Sequence, residues 1–535
     1  MVSREYEGLA GAGGVKDVCR QLAETLVAEA GLAVTVILPC YGFMDAGKLG
    51  FIRLQLMGGR QAEICGGRQR EDCSVDMHFP DRERRETVSF WEQRRRGVRV
   101  LLVEAERFAE KSGVYTYTAQ EEKKHAWQRR GSGHYDYFAM NILLQKAALD
   151  VMMLLDERPD VIHCHDGHAA TLAAMMRENP GHRHYFRNSG VVVTIHNAGL
   201  GYHQDVGDLP FARAVTGLPK PIIDSGLLGK SFDPFVAAAR YAVMNTVSEN
   251  YARELQETGD DARTGWLGHR LLKMGVRLAG VTNGINPQDF SPARAEKLNL
   301  AAPFNPMQGD FAGKHLCKED MLVACSRKTK WAHVEQVGLL TPEDRLPLFT
   351  FIGRLTAQKG VDILLRSLSL LLAEDSRFQL LVLGSGDPLL EEELAALTGK
   401  KEIANQVCFL KGYDPDLAMR IYAAGDFFVI PSLYEPCGLT DYIAQLLGNL
   451  PIVHLVGGLV KVEDGKNGFG YREHSPEALA ATMQRALSVY RKKPDRILTM
   501  QETAVQRIYS RHTWKQAMDG YLALYDQALT MTCGS

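Results

Sequence analysis

A chain of 535 residues, 45% of them hydrophobic, is too long for one ordinary core and predicts two domains of roughly 250 residues. Its 62 basic residues nearly balance 64 acidic ones, so it lacks the field of a general nucleic-acid or anionic-membrane binder, and any anion it takes must be gripped locally. No CxxC pair, no apolar run of roughly 18 residues and no secretory signal in the start MVSREYEGLAG appear, so the expected setting is a reducing cytoplasm.

In chain order, Gly11-Ala12-Gly13-Gly14 precedes a predicted helix over 17–29, and without Cβ atoms such a turn brings backbone N–H groups close to a phosphate. Short β-rich runs follow at 34–38, 98–103, 161–165, 191–195, 242–247 and 278–282, separated by helix-length segments. Residues 286–345 are richer in Pro, Asn and Asp and read as a boundary region. Beyond it the scheme repeats with runs at 348–352, 380–383, 407–410, 427–430 and 452–455. A last helix, 514–529, carries Trp514, Met518, Tyr521, Leu522 and Tyr525 along one stripe and must dock on an apolar surface. The alternation predicts the α/β class, parallel sheets with covering helices. Most of the ten cysteines read as small buried hydrophobes, with Cys437 set apart.

Open sheets of this kind bind ligands beyond the carboxyl ends of their strands. After 348–352 stands Gly353-Arg354-Leu355-Thr356-Ala357-Gln358-Lys359-Gly360. A guanidinium gripping phosphate oxygens and a mobile ammonium would together offset the charge of a departing diphosphate; the alternative is a solvated surface pair. After 427–430, Glu435-Pro436-Cys437-Gly438-Leu439-Thr440 opens a helix whose N–H groups favour an anion. Glu435 is an acceptor for sugar hydroxyls or a helix-end acid. Tyr413, after Lys411-Gly412, is a nucleobase platform or a core aromatic. In the first half Asp166 and His168 follow one strand, and His196 and Asn197 the next, as groups suited to a sugar. The cluster His163, Cys164, His165, Asp166 and His168 is a zinc site or strand-end packing; residues two apart share a strand face, and Cys164 points away from the histidines.

Taken together, GAGGVKDV, HCHDGHAA, VTIHNAG, NTVSENYARE, GVTNGI, FIGRLTAQKGVDILL, LGSGDP, FLKGY and PSLYEPCGLT resemble, in order and spacing, the bacterial glycogen and starch synthases of the ADP-glucose type, glycosyltransferase family 5. The resemblance covers about residues 2–525, and RLTAQKG followed by EPCGLT is its most specific part. It implies the GT-B architecture, two Rossmann-like domains with parallel sheets facing an interdomain cleft. It divides the chain into 1–300, 301–512 and a helix, 513–535, crossing back to the first domain. It implies retaining transfer of glucose from ADP-glucose to the non-reducing end of an α-1,4-glucan, with no metal or organic cofactor and neither nucleic acid nor membrane as partner. His196, Arg354, Lys359 and Glu435 take catalytic roles in it. Gly13, Gly14, Asp166, Asn283, Gln358, Tyr413, Cys437, Gly438, Leu439 and Thr440 hold the donor, with Tyr413 beside the adenine. Front-face attack, in which the leaving phosphate helps deprotonate the acceptor, places the burden on electrostatics and positioning.

The sequence also departs from that family. Gly11 stands at its lysine position, Gly167 replaces the tryptophan of D-W-H, and the R-x-G-G-L region reads His454-Leu455-Val456-Gly457-Gly458-Leu459, followed by Lys461. Lys16 is the nearest cation to Gly11 along the chain. The residues before the glycine turn leave little room for a first strand, so the sheet is expected to lack much of one. These departures keep two alternatives open: a retaining transferase using a UDP- or GDP-sugar, and a glycan-binding homologue impaired in turnover.

Overall fold

A computed structural model describes residues 1–56 and 71–533. The chain forms two compact units, Met1–Thr282 with Trp514–Ser535, and Asn283–Thr513. The first division falls earlier than 300 for a structural reason: Val281 N–H still bonds the Thr246 carbonyl of the first sheet, whereas Ile285 N–H already bonds His512 of the second unit.

In unit 1 the strands Val161–His165, Gly190–Ile195, Val243–Thr246 and Ala279–Gly280 lie side by side in parallel. A second group pairs Thr35–Pro39 in parallel with Val98–Glu104, which pairs antiparallel with Arg85–Arg95; Ile52–Arg53 and Asp72–Asp76 add to that last strand. The antiparallel strands depart from the expected all-parallel pattern. Their hairpin turns at Arg96 and Gly97, both at positive φ, the geometry that suits two-residue hairpin loops.

Residues 1–3 join the two groups. Val2 N–H bonds the His163 carbonyl at 2.8 Å and its carbonyl accepts from His165 at 3.1 Å, while Ile37 N–H bonds the Met1 carbonyl at 2.9 Å and Ser3 N–H the Ile37 carbonyl at 3.1 Å. The short segment expected before the glycine turn thus occupies a central sheet position, bonded on both sides.

The helix Tyr137–Leu154 is long and apolar enough to cross a bilayer by length and composition, which a search for unbroken apolar runs passes over; 72% of it is buried in the protein as a core helix. The helix Trp514–Cys533 docks on unit 1, with Trp514, Tyr521 and Tyr525 packed among Val18, Leu22, Leu26, Val192 and Val243. Trp514 Nε1–H bonds Gln21 at 2.8 Å.

Unit 2 carries one seven-stranded sheet in the order Val334–Gly338, Val407–Gly412, Gln379–Gly384, Leu348–Ile352, Phe427–Ile430, Leu450–His454, Phe469–Tyr471. All neighbours are parallel except the first pair. The stretch read as a boundary region contains the helix Ala312–Cys325 and that antiparallel edge strand. Among the described residues seven cysteines are buried and Cys73 is half-buried, all as free thiols; Cys65 and the side chain of Cys533 lie outside the described residues.

Candidate active site

In unit 2 the strand Leu348–Ile352 ends at Gly353, and Arg354 is exposed at its exit. A short turn, Ala357–Lys359, capped by the Thr356 hydroxyl, then leads into the helix Val361–Glu374. Its Lys359 ammonium lies 2.6 Å from the Glu435 carboxylate, and the Ser432 hydroxyl donates to the same oxygen at 3.1 Å. The Gln358 carbonyl accepts from Leu433 N–H at 2.9 Å, tying the two segments together. The structure therefore brings together Lys359 and Glu435, which the sequence placed in separate motifs, as an ion pair at a partly open surface.

The turn after Glu435 is held from beneath. Lys461 donates to the Cys437 and Gly438 carbonyls, each at 2.5 Å, sits 3.1 Å from Asp441 and lies 4.1 Å from the Tyr442 ring centroid. In a planar trans peptide the N–H points opposite to the C=O, so carbonyls turned toward Lys461 aim the N–H groups of Gly438 and Leu439 away from it, as anion donors. Burial pushes Asp441 up to about 6, against the pull of Lys461. Gly458 approaches so closely that a Cβ there would stand 2.2 Å from the Cys437 carbonyl oxygen, and its own N–H bonds the Glu435 carbonyl at 3.0 Å. The helix begins at Thr440 and spans only Thr440–Leu446, so the pinned turn contributes more here than a helix dipole. Asn283 is buried, and its N–H reaches the Cys437 sulfur; burial pushes that thiol up. Tyr413 is 64% exposed just beyond the strand Val407–Gly412, which leaves its ring face available and removes the core-aromatic alternative.

In unit 1, Asp166 and His196 stand at the carboxyl ends of adjacent strands. Asp166 adopts φ 60°, ψ −179°, a conformation nearly confined to glycine, and strain of this kind collects at functional positions. Its carboxylate accepts from His196 N–H at 2.6 Å and from Asn197 N–H at 3.4 Å; burial nonetheless pushes it up to about 8. His165 Nδ1 lies 2.9 Å from His196 Nε2, and burial lowers His196 to about 3, so this imidazole is neutral near pH 7. His163 bonds Tyr525 and Thr194, and His168 accepts from Arg4 N–H, so these histidines already have protein partners.

The glycine turn differs from its expected role. The Glu5 carboxylate accepts from Ala12 N–H at 2.7 Å and Gly13 N–H at 3.1 Å, so the donor expected at Gly13 is occupied by the chain's own acid. Gly14 caps the helix Val15–Ala30. The Lys16 stem lies across Gly11, where an added Cβ would come within 2.3 Å of Lys16 Cδ, and its ammonium is 2.8 Å from both Asp17 oxygens. Glu5 gave no sequence signal, since its partner Tyr115 is distant along the chain, and His165 was visible only within the histidine cluster, not as the partner of His196. Lys461 was visible only as an unexpected cation.

The family model for the starch synthase catalytic domain matches residues 1–269, and that for glycosyl transferases group 1 matches 346–488. The chain belongs to the starch synthase catalytic-domain family. It is a hexosyltransferase that carries glucosyl units from a nucleotide-sugar to a glucan. It is 29% identical to glycogen synthase 1 of Geobacter sulfurreducens, over 100% of this chain and 97% of that protein, and 29% identical to a glycogen synthase of Streptococcus pneumoniae, over 96% of each. Its fold matches the starch synthase IV catalytic domain from Arabidopsis thaliana, bound to ADP and acarbose, with a TM-score of 0.76 at 24% identity over 99% and 98% of the two chains. With the two sheet-bearing α/β units, this match shows that the chain has the GT-B fold.

Proposed function

We propose that the protein transfers glucose from ADP-glucose to the non-reducing end of an α-1,4-glucan with retention of configuration, in a cytoplasmic setting. The observation that carries this reading is the unit 2 constellation: Arg354 at a strand exit, Lys359 at 2.6 Å from Glu435, and a Gly438 turn whose N–H groups are aimed by Lys461. Two cations and two oriented N–H groups can hold a diphosphate and stabilise the charge that develops as it leaves. When phosphate oxygens take the Lys359 ammonium, Glu435 becomes free to accept a sugar hydroxyl. Tyr413 presents an exposed ring for the adenine, and Gln358, Asn283, Cys437, Leu439 and Thr440 are proposed as further donor contacts. In unit 1, Asp166 and neutral His196 bind sugar hydroxyls. The ADP found with the Arabidopsis starch synthase supports the choice of nucleotide, and the eight free cysteines among the described residues support a reducing compartment.

A second reading, a UDP- or GDP-sugar donor, is favoured by one observation: Gly11 offers no cation, and the ammonium of Lys16 is engaged by Asp17. Incubation of the protein with ADP-, UDP- or GDP-glucose plus glycogen, measuring nucleotide released and glucose incorporated, separates them. ADP-glucose is expected to give the highest kcat/KM. Faster incorporation from UDP- or GDP-glucose would replace the donor assignment.

A further inference from the structure

A cavity of about 590 Å3 opens in unit 1 at the amino ends of the strands Val161–His165 and Gly190–Ile195. Residues 158–160, which lead into the first strand, and Ser189, which leads into the second, line it. Asp166 and His196 stand at the opposite ends of these strands. Substrate crevices of open α/β sheets lie beyond the carboxyl ends, so this cavity is separate from the sugar contacts of unit 1.

The cavity wall is fixed from behind. Arg177 donates to the Phe186 carbonyl at 2.8 Å, the Arg187 carbonyl at 3.2 Å and the Ser189 carbonyl at 2.6 Å. Gly190 N–H bonds the Asp160 carbonyl at 2.7 Å, joining the two lining segments. The Arg158 guanidinium lies 4.9 Å from the Tyr185 ring centroid and 3.5 Å from the Asp156 carboxylate, while the Tyr185 hydroxyl donates to the Met152 carbonyl at 3.2 Å. That arginine is held in place, with part of its charge offset by Asp156.

Arg187 differs from it. Its guanidinium lines the cavity, exposed, and engages no carboxylate among the described residues. Ser189 lines the cavity while only 3% exposed, and its hydroxyl has no protein partner among the described residues. A buried hydroxyl left unpaired costs free energy, which a ligand oxygen would recover. Asp160 also lines the cavity. Its charge opposes a bare multiply charged anion, whereas its oxygens accept protons from hydroxyls.

We propose that this cavity binds a small phosphate monoester that also carries hydroxyl groups, a sugar or polyol phosphate. Arg187, Arg158 and the Ser189 hydroxyl take the phosphate, and Asp160 and the Asn188 amide take the hydroxyls. A guanidinium pairs with two phosphate oxygens at once, and Arg187 breaks no ion pair to do so. The volume lies within the range of small-molecule sites. The proposal does not rest on the donor or acceptor assigned above.

Isothermal titration of the intact protein with glycerol 3-phosphate, glucose 1-phosphate and inorganic phosphate tests the site. Excess ADP is present throughout to fill the donor site, and glycerol and glucose serve as neutral controls. At least one monoester should bind with a Kd below about 1 mM, and inorganic phosphate about fivefold or more weaker. Arg187→Gln and Arg158→Gln should each weaken the monoester about tenfold. Asp160→Asn should narrow the gap between monoester and inorganic phosphate. Both arginines are exposed, so the variants should fold, which thermal melting checks. Their glucosyl transfer without added monoester should stay within about twofold of wild type. No binding to wild type, or unchanged affinity in both folded arginine variants, would overturn the site. Inorganic phosphate or a neutral control binding as tightly as the monoesters would overturn the ligand class, and a large loss of basal transfer in Arg187→Gln would overturn the separation from the reaction.

Discussion

Lys461 carries more of the donor site than its position suggests. It is 7% exposed, and its partner Asp441 is fully buried. Lys461→Met strands the carboxylate in the interior, at a cost of about 3–5 kcal/mol in denaturant unfolding. Adding Asp441→Leu removes the stranded charge and should recover most of that stability. The Cys437 and Gly438 carbonyls still lack their donor, so KM for the nucleotide-sugar should stay raised. If stability and donor KM recover together in the double variant, Lys461 acts only through the ion pair. Asp166 makes a pH-dependent prediction. Burial holds its folded carboxyl at about 8, against about 3.9 in an unfolded chain. Between those values the folded state keeps a proton that the unfolded state has lost, so this group's contribution to stability falls as pH rises. Asp166→Asn keeps the shape and cannot ionise. Its melting temperature relative to wild type should climb from about pH 5 to about pH 8, and a constant difference would show an ordinary carboxyl. Arg354 and Lys359 were legible as cations at a strand exit because they adjoin an apolar run. The partnership of Lys359 with Glu435, 76 residues away, was not, because sequence spacing carries no information about which loops meet.

Elements set the precision of these contacts. Gly457 and Gly458 begin a short helical turn directly beneath the Glu435–Gly438 loop. A Cβ at 458 would overlap the Cys437 carbonyl, so Gly458→Ala must shift the donor turn. A displacement of about 1 Å at a positioning element costs up to about a hundredfold in rate. Gly458→Ala should therefore lower kcat/KM for the nucleotide-sugar by about ten- to a hundredfold, and steady-state kinetics with unchanged kcat/KM would refute this. The strands bearing the site were readable because buried parallel strands form short unbroken apolar runs. The strand Arg85–Arg95 and its hairpin were missed: five of its eleven residues are charged, and the alternation that marks a half-exposed strand is masked by arginine and glutamate. Val334–Gly338 was missed because an edge strand needs little apolar content.

At the scale of the whole molecule, unit 1 is assembled from two distant parts of the chain. The helix Trp514–Cys533 covers apolar surface of the helix Val15–Ala30 and the strand Gly190–Ile195, with Tyr521 fully buried. Tyr521→Ala should cost about 3–5 kcal/mol by urea unfolding. If unit 1 unfolds cooperatively, the loss should appear in a probe reporting on Trp91 as well as one on Trp514, and an effect confined to Trp514 would mean the helix frays alone. The stripe on this helix was readable at helical spacing, but which surface it covers required the fold. Ile285 pairs in parallel with Thr513, placing the outgoing and returning connections side by side in unit 2. This arrangement sets an order of assembly on the ribosome. Unit 2 is continuous and emerges before the helix that completes unit 1, so the first half of the chain must wait, with Val18, Leu22 and Val192 uncovered, until the second half has been made. During that interval the earlier portion keeps apolar surface in water that only the last helix covers, reversing the usual amino-terminal-first sequence of domain maturation.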